Sequence, residues 1–397
     1  MPTSRDSQKI NELLTRGVEQ IYPTRAAFEG ALTSGKRLRV YMGIDPTSPH
    51  LHIGHALQLR KLRQFQDLGH EVILLIGSFT GMIGDPTDKT AARQKLTRAQ
   101  VMANAKTYKK QAAKMLSFTG AHAAKLKYNH TWLSKLTFEE VTELASHFTA
   151  QQMEDRDMFE RRIKEGKPVR LHEFLYPLMQ GYDSVAMNVD MEIGGTDQTF
   201  NMLAGRTLMK AMKNKEKFVM TLKLLTNDEG KKMSKSEGGF IALDDAPEEM
   251  FGKIMAMDDS VIVPYFELAT DVSTKEVEAK RRALASGVNP RDVKMELART
   301  VTAIYHGARA AAQASAQFVK TFQKKEQPDK VPTVKAQGTI VDVLIAAKLA
   351  SSKSDARRLI AQGGVKVDDA VVTDVEMLVK RGAVIQKGKR YFVKIVP

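Results

Sequence analysis

The chain has no cysteine among its 397 residues and a single tryptophan. Without thiols there is no disulfide, no thiolate nucleophile and no cysteine zinc site, which agrees with a reducing compartment. Long apolar runs are missing too: the longest strongly apolar stretch, residues 72–76, is far too short to cross a bilayer. The first twenty residues, MPTSRDSQKINELLTRGVEQ, include acids and lack an apolar centre, so they do not read as a secretory signal. A cytoplasmic protein with no membrane partner is expected, and no internal repeat is visible. What is abundant is positive charge. Lys and Arg number 61 against 46 Asp and Glu, leaving +15, which points to an anionic partner such as nucleic acid, although a lysine-rich solvated surface gives the same sum. A 43% hydrophobic and 27% charged composition suits several globular domains with a large core, in which the 20 methionines serve as flexible filling.

Short β-rich runs alternate with longer helical ones over residues 38–225. Residues 38–44 read as a strand, 52–68 as a helix and 71–76 as a second strand, a β-α-β unit that implies a parallel sheet. Further strands are expected at 125–129, 189–193 and 217–222, and helices at 98–117, 138–148 and 171–187. The fold class is therefore α/β, with a Rossmann-like nucleotide-binding domain at 38–245 whose ligand belongs at the carboxyl ends of the strands. A helical segment, 1–37, precedes it. Helices at 246–256 and 275–323, the latter broken near 287–290, make a helical domain at 246–323. The stretch KKEQPDKVPTVKAQG is rich in proline and charge and gives a linker at 324–337. A small α+β domain at 338–397 closes the chain, with helices at 340–349 and 351–360 and strands at 365–367 and 391–396. Its basic residues, Lys353, Arg357, Arg358 and Lys366 among them, outnumber its acids and can dock phosphates.

Two motifs carry chemistry. Residues 46–55, PTSPHLHIGH, join the first strand to the first helix, where free backbone N–H groups and the helix dipole favour a phosphate. Gly54 lets a ligand come near the backbone, and His52 and His55, three apart, project from one side of the turn. Alone, such a pair is more often two surface or core histidines. A zinc site has less support, since no third ligand stands at a suitable spacing, and no metal ligand set is assigned. Lys232-Met233-Ser234-Lys235-Ser236 lies in a polar stretch flanked by Gly230, Gly238 and Gly239, which act as hinges. Its lysines can close over a triphosphate and offset charge on a leaving pyrophosphate, although alone it is an ordinary solvated loop.

In this order on an α/β domain, the two motifs resemble those of class I aminoacyl-tRNA synthetases. Four further segments are similar to the bacterial tyrosyl-tRNA synthetases: Tyr41-Met42-Gly43-Ile44-Asp45-Pro46-Thr47, Thr80-Gly81-Met82-Ile83-Gly84-Asp85-Pro86, the spaced set Tyr176, Gln180 and Asp183, and Gly194-Gly195-Thr196-Asp197-Gln198. Residues 352–360 with 363–367 resemble the S4 RNA-binding module, so the likeness runs from about residue 38 to the end.

The resemblance implies a tyrosine-activating enzyme that uses ATP with Mg2+ on the phosphates, charges tRNA(Tyr) and works as a homodimer. It implies that Asp85, Tyr176 and Gln180 hold the α-ammonium of L-tyrosine, that Asp183 and Tyr41 meet its phenol, and that Gln198 belongs to the same pocket. Tyr176, Gln180 and Asp183, spaced by four and three, share one helical face, as a plain amphipathic helix with a polar edge also would. On the nucleotide side it implies Asp45, Pro46, Thr47, His52, Gly54 and His55 near the phosphates and ribose. Gly195 and Asp197 fall to the adenosine, Lys232 and Lys235 to the pyrophosphate, and Met233, Ser234 and Ser236 to ATP. Gly-Gly-Thr-Asp is also an ordinary capped turn. Lys89 and Arg93 join from the loop after Asp85, where Thr87-Asp88 stands in place of the family's Ser-Gly. The S4 likeness assigns Lys353, Arg357, Arg358 and Lys366 to RNA. No protein nucleophile is needed, because the carboxylate of tyrosine attacks the α-phosphate itself. A tryptophanyl-tRNA synthetase and a noncatalytic RNA-binding relative are the alternatives. The first should lack the 176/180/183 helix face and the S4 module, and the second should lack intact phosphate motifs.

Overall fold

The computed structural model describes residues 3–87, 95–154, 156–226, 240–322, 331–388 and 391–396. By contact the chain divides into two units, residues 1–246 with 253–297, and residues 247–252 with 298–397.

The first unit is built on a six-stranded sheet of β1 (Val18–Tyr22), β2 (Arg39–Ile44), β3 (Glu71–Ile76), β4 (Lys125–Tyr128), β5 (Met191–Gly195) and β6 (Phe218–Leu222), in the order β1-β6-β5-β2-β3-β4. All neighbours run parallel except β1, which is antiparallel to β6. The central strands explain their own placement: EVILLI of β3 is apolar almost throughout, and MEIGG of β5 is buried along its length, as strands covered on both faces must be. Chain order reverses between β2 and β5, so the switch point of this doubly wound sheet lies there. Register opens it. β2 pairs with β3 from Arg39 to Ile44, but with β5 only at Val40↔Met191 and Tyr41↔Glu192. Beyond that pair the two strands part, leaving a gap at their carboxyl ends.

Several expectations need correction. The first 37 residues are not helical throughout: Val18–Tyr22 is the antiparallel edge strand between helices Ser7–Thr15 and Arg25–Thr33, too short and too polar to stand out before its partner β6 is known. Residues 98–117 form two helices, Arg98–Ala105 and Tyr108–Ala112. The helical stretch expected at 275–323 breaks at Gly307 (φ +83°) as well as at Gly287 (φ +91°).

In the second unit a five-stranded sheet has the order β7-β11-β10-β8-β9, with β7 (Thr333–Lys335), β8 (Val365–Val367), β9 (Ala370–Val371), β10 (Val384–Lys387) and β11 (Tyr391–Val396). β7 runs parallel to β11 and falls inside the stretch expected to be linker, because its strand pairing is supplied by residues some 60 positions away. Helices Ile340–Ala346 and Lys353–Ala361 share one apolar core with this sheet. Among the described residues no helix is long and apolar enough to cross a membrane.

Candidate active site

The gap between β2 and β5 is a cavity of about 190 Å3 whose walls include Tyr41, Asp45, Thr47, His55, Asp85, Tyr176, Gln180, Asp183, Asp197 and Gln198, all of them expected from sequence. Its polar groups are already joined to one another. Asp183 is 2% exposed and accepts from Trp132 Nε1 at 2.7 Å and from Asn129 Nδ2 at 3.2 Å. Asn129 also donates to Thr80 Oγ1 at 3.0 Å, Thr80 donates to Asp45 Oδ1 at 2.6 Å, and the Tyr176 hydroxyl donates to Asp45 Oδ2 at 2.8 Å. Tyr41, fully buried, lies 3.0 Å from Ser184 Oγ. Burial pushes the Asp183 carboxyl well above the usual carboxylate range; its two donors pull it down, and the Glu192 and Asp45 carboxylates push it further up. Burial likewise raises both phenols, Tyr41 and Tyr176, with nearby carboxylates adding to the effect, so both stay neutral hydrogen-bonding groups at ordinary pH.

At the mouth, Asp85 accepts from Gln198 Nε2 at 2.6 Å and from the Thr87 amide and hydroxyl at 2.9 and 2.6 Å. Gln198 accepts in turn from Asn201, whose carbonyl oxygen takes a bond from Arg156 at 3.0 Å. Arg156 stacks over Phe200 with 4.6 Å to the ring centroid, and burial lowers its pKa to about 10, which leaves it charged.

A second pocket of about 110 Å3, lined by His52, Gly54, His55, Gly195, Leu224 and Phe240 among others, sits where the helix Ile53–Asp67 begins. His52 is the N-cap: its Nδ1 accepts from the Gly54 amide at 3.1 Å, and His55 Nδ1 accepts from the His52 amide at 3.2 Å. The two rings lie with centroids 3.8 Å apart. Gly54 is needed for this cap as much as for any ligand, since a Cβ there would fall 2.9 Å from the His52 ring. Gly195 is confined in the same way, a Cβ falling 2.4 Å from Asp197 Oδ1. The loop before the cap is pinned from the Arg98–Ala105 and Tyr108–Ala112 helices: Asn104 donates to the Pro46 carbonyl at 2.9 Å, Tyr108 to Ser48 at 2.6 Å and Gln111 to Pro49 at 2.8 Å.

Lys89, Arg93, Lys232, Met233, Ser234, Lys235 and Ser236 lie outside the described residues. The chain just after the second motif is nevertheless tied to the first: the Ile53 amide donates to Ile241 O at 3.0 Å, the Leu243 amide to Leu51 O at 2.8 Å, and Phe240 meets the His52 ring edge-on at 5.5 Å. In the second unit Lys353, Arg357 and Arg358 are exposed and Lys366 half-buried; Arg358 donates to Asp355 at 2.7 Å.

Asn129, Thr80, Trp132, Ser184, Glu192 and Lys217 were not expected from sequence. A signal existed for Glu192, a charged residue inside an otherwise apolar strand; the others are uncharged, or lie at an element's edge, and gain meaning only from partners distant in the chain.

A polar cavity at the switch point of a doubly wound sheet, beside a helix start capped by two histidines, defines a nucleotide-binding α/β enzyme that brings a small polar molecule to a phosphate site. Residues 33–323 match the family of class I tRNA synthetases (W and Y) and residues 340–385 match the S4 domain, and the chain belongs to that synthetase family. It is 46% identical to the tyrosine–tRNA ligase of Moorella thermoacetica over 96% of this chain and 94% of that one, and 45% identical to that of Thermotoga maritima over 97% and 96%. Among solved structures it resembles a C-terminally truncated mitochondrial tyrosyl-tRNA synthetase of Coccidioides posadasii, with a TM-score of 0.64 at 27% identity over 78% of this chain and 91% of that one.

Proposed function

We propose that the chain is a tyrosine–tRNA ligase, which joins L-tyrosine and ATP into tyrosyl-adenylate with release of pyrophosphate and then passes tyrosine to the 3′-terminal adenosine of tRNA(Tyr). The observation that carries this reading is the closed, polar inner end of the cavity, where Asp183 and Tyr41 are buried side chains able to bond a phenol. A phenol can add a hydrogen bond to these groups beside the ones they already make, and a phenyl ring cannot, a difference of about 0.5–1.5 kcal/mol for each bond. Asp85, Tyr176 and Gln180 suit the substrate ammonium, a cation among a carboxylate and two polar neighbours.

The reaction is then mostly a matter of placement. The tyrosine carboxylate is delivered to the α-phosphate, while His52 and Thr47 donate to the phosphates, His55 and Asp197 meet the ribose, Gly195 lets the adenosine approach, and Lys232, Lys235, Lys89 and Arg93 neutralise the pyrophosphate. Magnesium belongs with the nucleotide as MgATP, on its phosphates, and no protein step runs through it. The domains serve these roles as catalytic (38–245), anticodon-stem (246–323) and S4 (338–397) parts, the last through Lys353, Arg357, Arg358 and Lys366. A homodimer is supported by Phe138, Leu171 and Ile163, which are 89%, 82% and 50% exposed in the single chain. The enzyme works in the cytoplasm with its tRNA.

Pyrophosphate exchange with a panel of amino acids tests the reading. Tyrosine alone should stimulate it; stimulation by tryptophan alone, or by no amino acid, overturns it.

A further inference from the structure

Beneath the cavity lies a buried ion pair that the reaction as described does not use. Lys217 is fully buried and Glu192 is 2% exposed, and the lysine Nζ bonds Glu192 Oε2 directly while also donating to the Met202 carbonyl at 3.0 Å. Both charged ends are thereby matched, as burial demands. Space for the ammonium is provided by Gly205, where a Cβ would fall 2.4 Å from Lys217 Nζ. The other carboxylate oxygen, Glu192 Oε1, accepts from Gln180 Nε2 at 3.0 Å. Glu192 is the strand partner of Tyr41 at the last β2–β5 pair before the sheet opens, so this contact stands at the rim of the gap.

The chemistry of the three groups is directional. A carboxylate only accepts, so the atom of Gln180 that meets it must be the amide nitrogen, and the amide oxygen is left facing elsewhere. We infer that Lys217 and Glu192 are positioning residues which, by keeping a pure acceptor against Gln180, lock its amide with the oxygen offered to the substrate's ammonium. The inference rests on the tyrosine-binding reading and adds a specificity device to it. Without the pair nothing fixes which end of the amide faces the strand, Gln180 is free to turn over, and its N–H2 group can meet the ammonium instead.

Two double variants test this, because replacing a buried pair by uncharged residues of similar size is commonly tolerated by the fold. In Glu192→Met with Lys217→Met no acceptor is left; in Glu192→Gln with Lys217→Met the amide facing Gln180 can accept or donate, so the lock is restored only in part. Tyrosine-dependent pyrophosphate exchange is measured for the parent first, so that loss of the parent activity tells against the functional reading and not the inference. The methionine pair should raise KM for tyrosine roughly ten- to hundredfold, the range for losing a hydrogen bond to a charged group, with KM for ATP within about twofold. The glutamine variant should bring KM for tyrosine part of the way back, to roughly a third of the methionine pair's value or below but still above the parent. Equal tyrosine KM values in the two variants, or equal rises for tyrosine and ATP, would overturn the inference.

Discussion

The cavity region and the small C-terminal sheet place their charge in opposite ways. In the first unit, at the cavity and away from it, charged side chains are buried: Lys61, Arg156, Arg162, Glu173, Asp183, Glu192 and Lys217 are each less than 9% exposed and each is held by a hydrogen-bond partner. In residues 331–396 every buried side chain among the described residues is apolar, from Ile340 to Ile395, and the lysines and arginines sit outside. A buried polar group must be matched, and once matched it defines a single arrangement, which suits the recognition of one small molecule. An outward charge on an apolar core costs the fold nothing and adapts to a long polyanion, at the cost of sensitivity to salt.

The largest effect that sharpens this contrast is on stability. Arg162 and Glu173 form a buried bidentate pair with contacts of 2.5 and 3.0 Å, so Arg162→Met should destabilise the first unit by roughly 3–5 kcal/mol. Lys353→Gln in the second unit should change stability by less than about 0.5 kcal/mol. Chemical denaturation of both variants checks the pair, and equal losses would erase the distinction.

Next in size is the phosphate side of the cavity. His52→Ala should slow adenylate formation by roughly a hundredfold or more while tyrosine affinity stays near that of the parent, because the imidazole acts on charge that grows in the transition state. Rapid-quench kinetics beside equilibrium tyrosine binding separates the two, and a parallel fall in both would remove the transition-state role.

A smaller effect concerns pH. His70 is 1% exposed, and its Nδ1 accepts from the Leu38 amide at 3.2 Å, a bond only the neutral ring makes. Burial, with Arg37 nearby, lowers its pKa to about 4. Between about pH 4 and the unfolded value near 6.5 the unfolded chain binds the proton and the folded one does not, so stability should rise with pH across that window and the contribution is lost below it. Thermal midpoints of the parent and His70→Gln over this range should show a shallower acid limb in the variant; identical limbs would mean the ring is not held neutral.

How much of this was legible in the chain depended on how local the cause was. β3 and the helix Leu171–Met187 matched their expected bounds, because a continuous apolar run and a long amphipathic period are local signals. The helix also carried Tyr176, Gln180 and Asp183 to the cavity. β1 and β7 were not legible, since VEQIY and TVK become strands only through β6 and β11, which come far later in the chain. The same reason hid the site's supports. Asn129 reaches Asp183 across 54 positions, and Lys217 reaches Glu192 across 25, so the motif residues could be named while the groups that orient them could not.

The central claim is that inward charge handles the small substrates and outward charge the RNA, and a salt titration of both reactions on one preparation tests it directly. Aminoacylation should fall steeply as salt rises, with the slope of log affinity reduced by roughly 0.7–0.9 for each cation removed in Lys353→Gln and Arg357→Gln, while tyrosine-dependent pyrophosphate exchange stays nearly flat. Equal salt slopes for the two reactions, unchanged by those substitutions, would contradict the account.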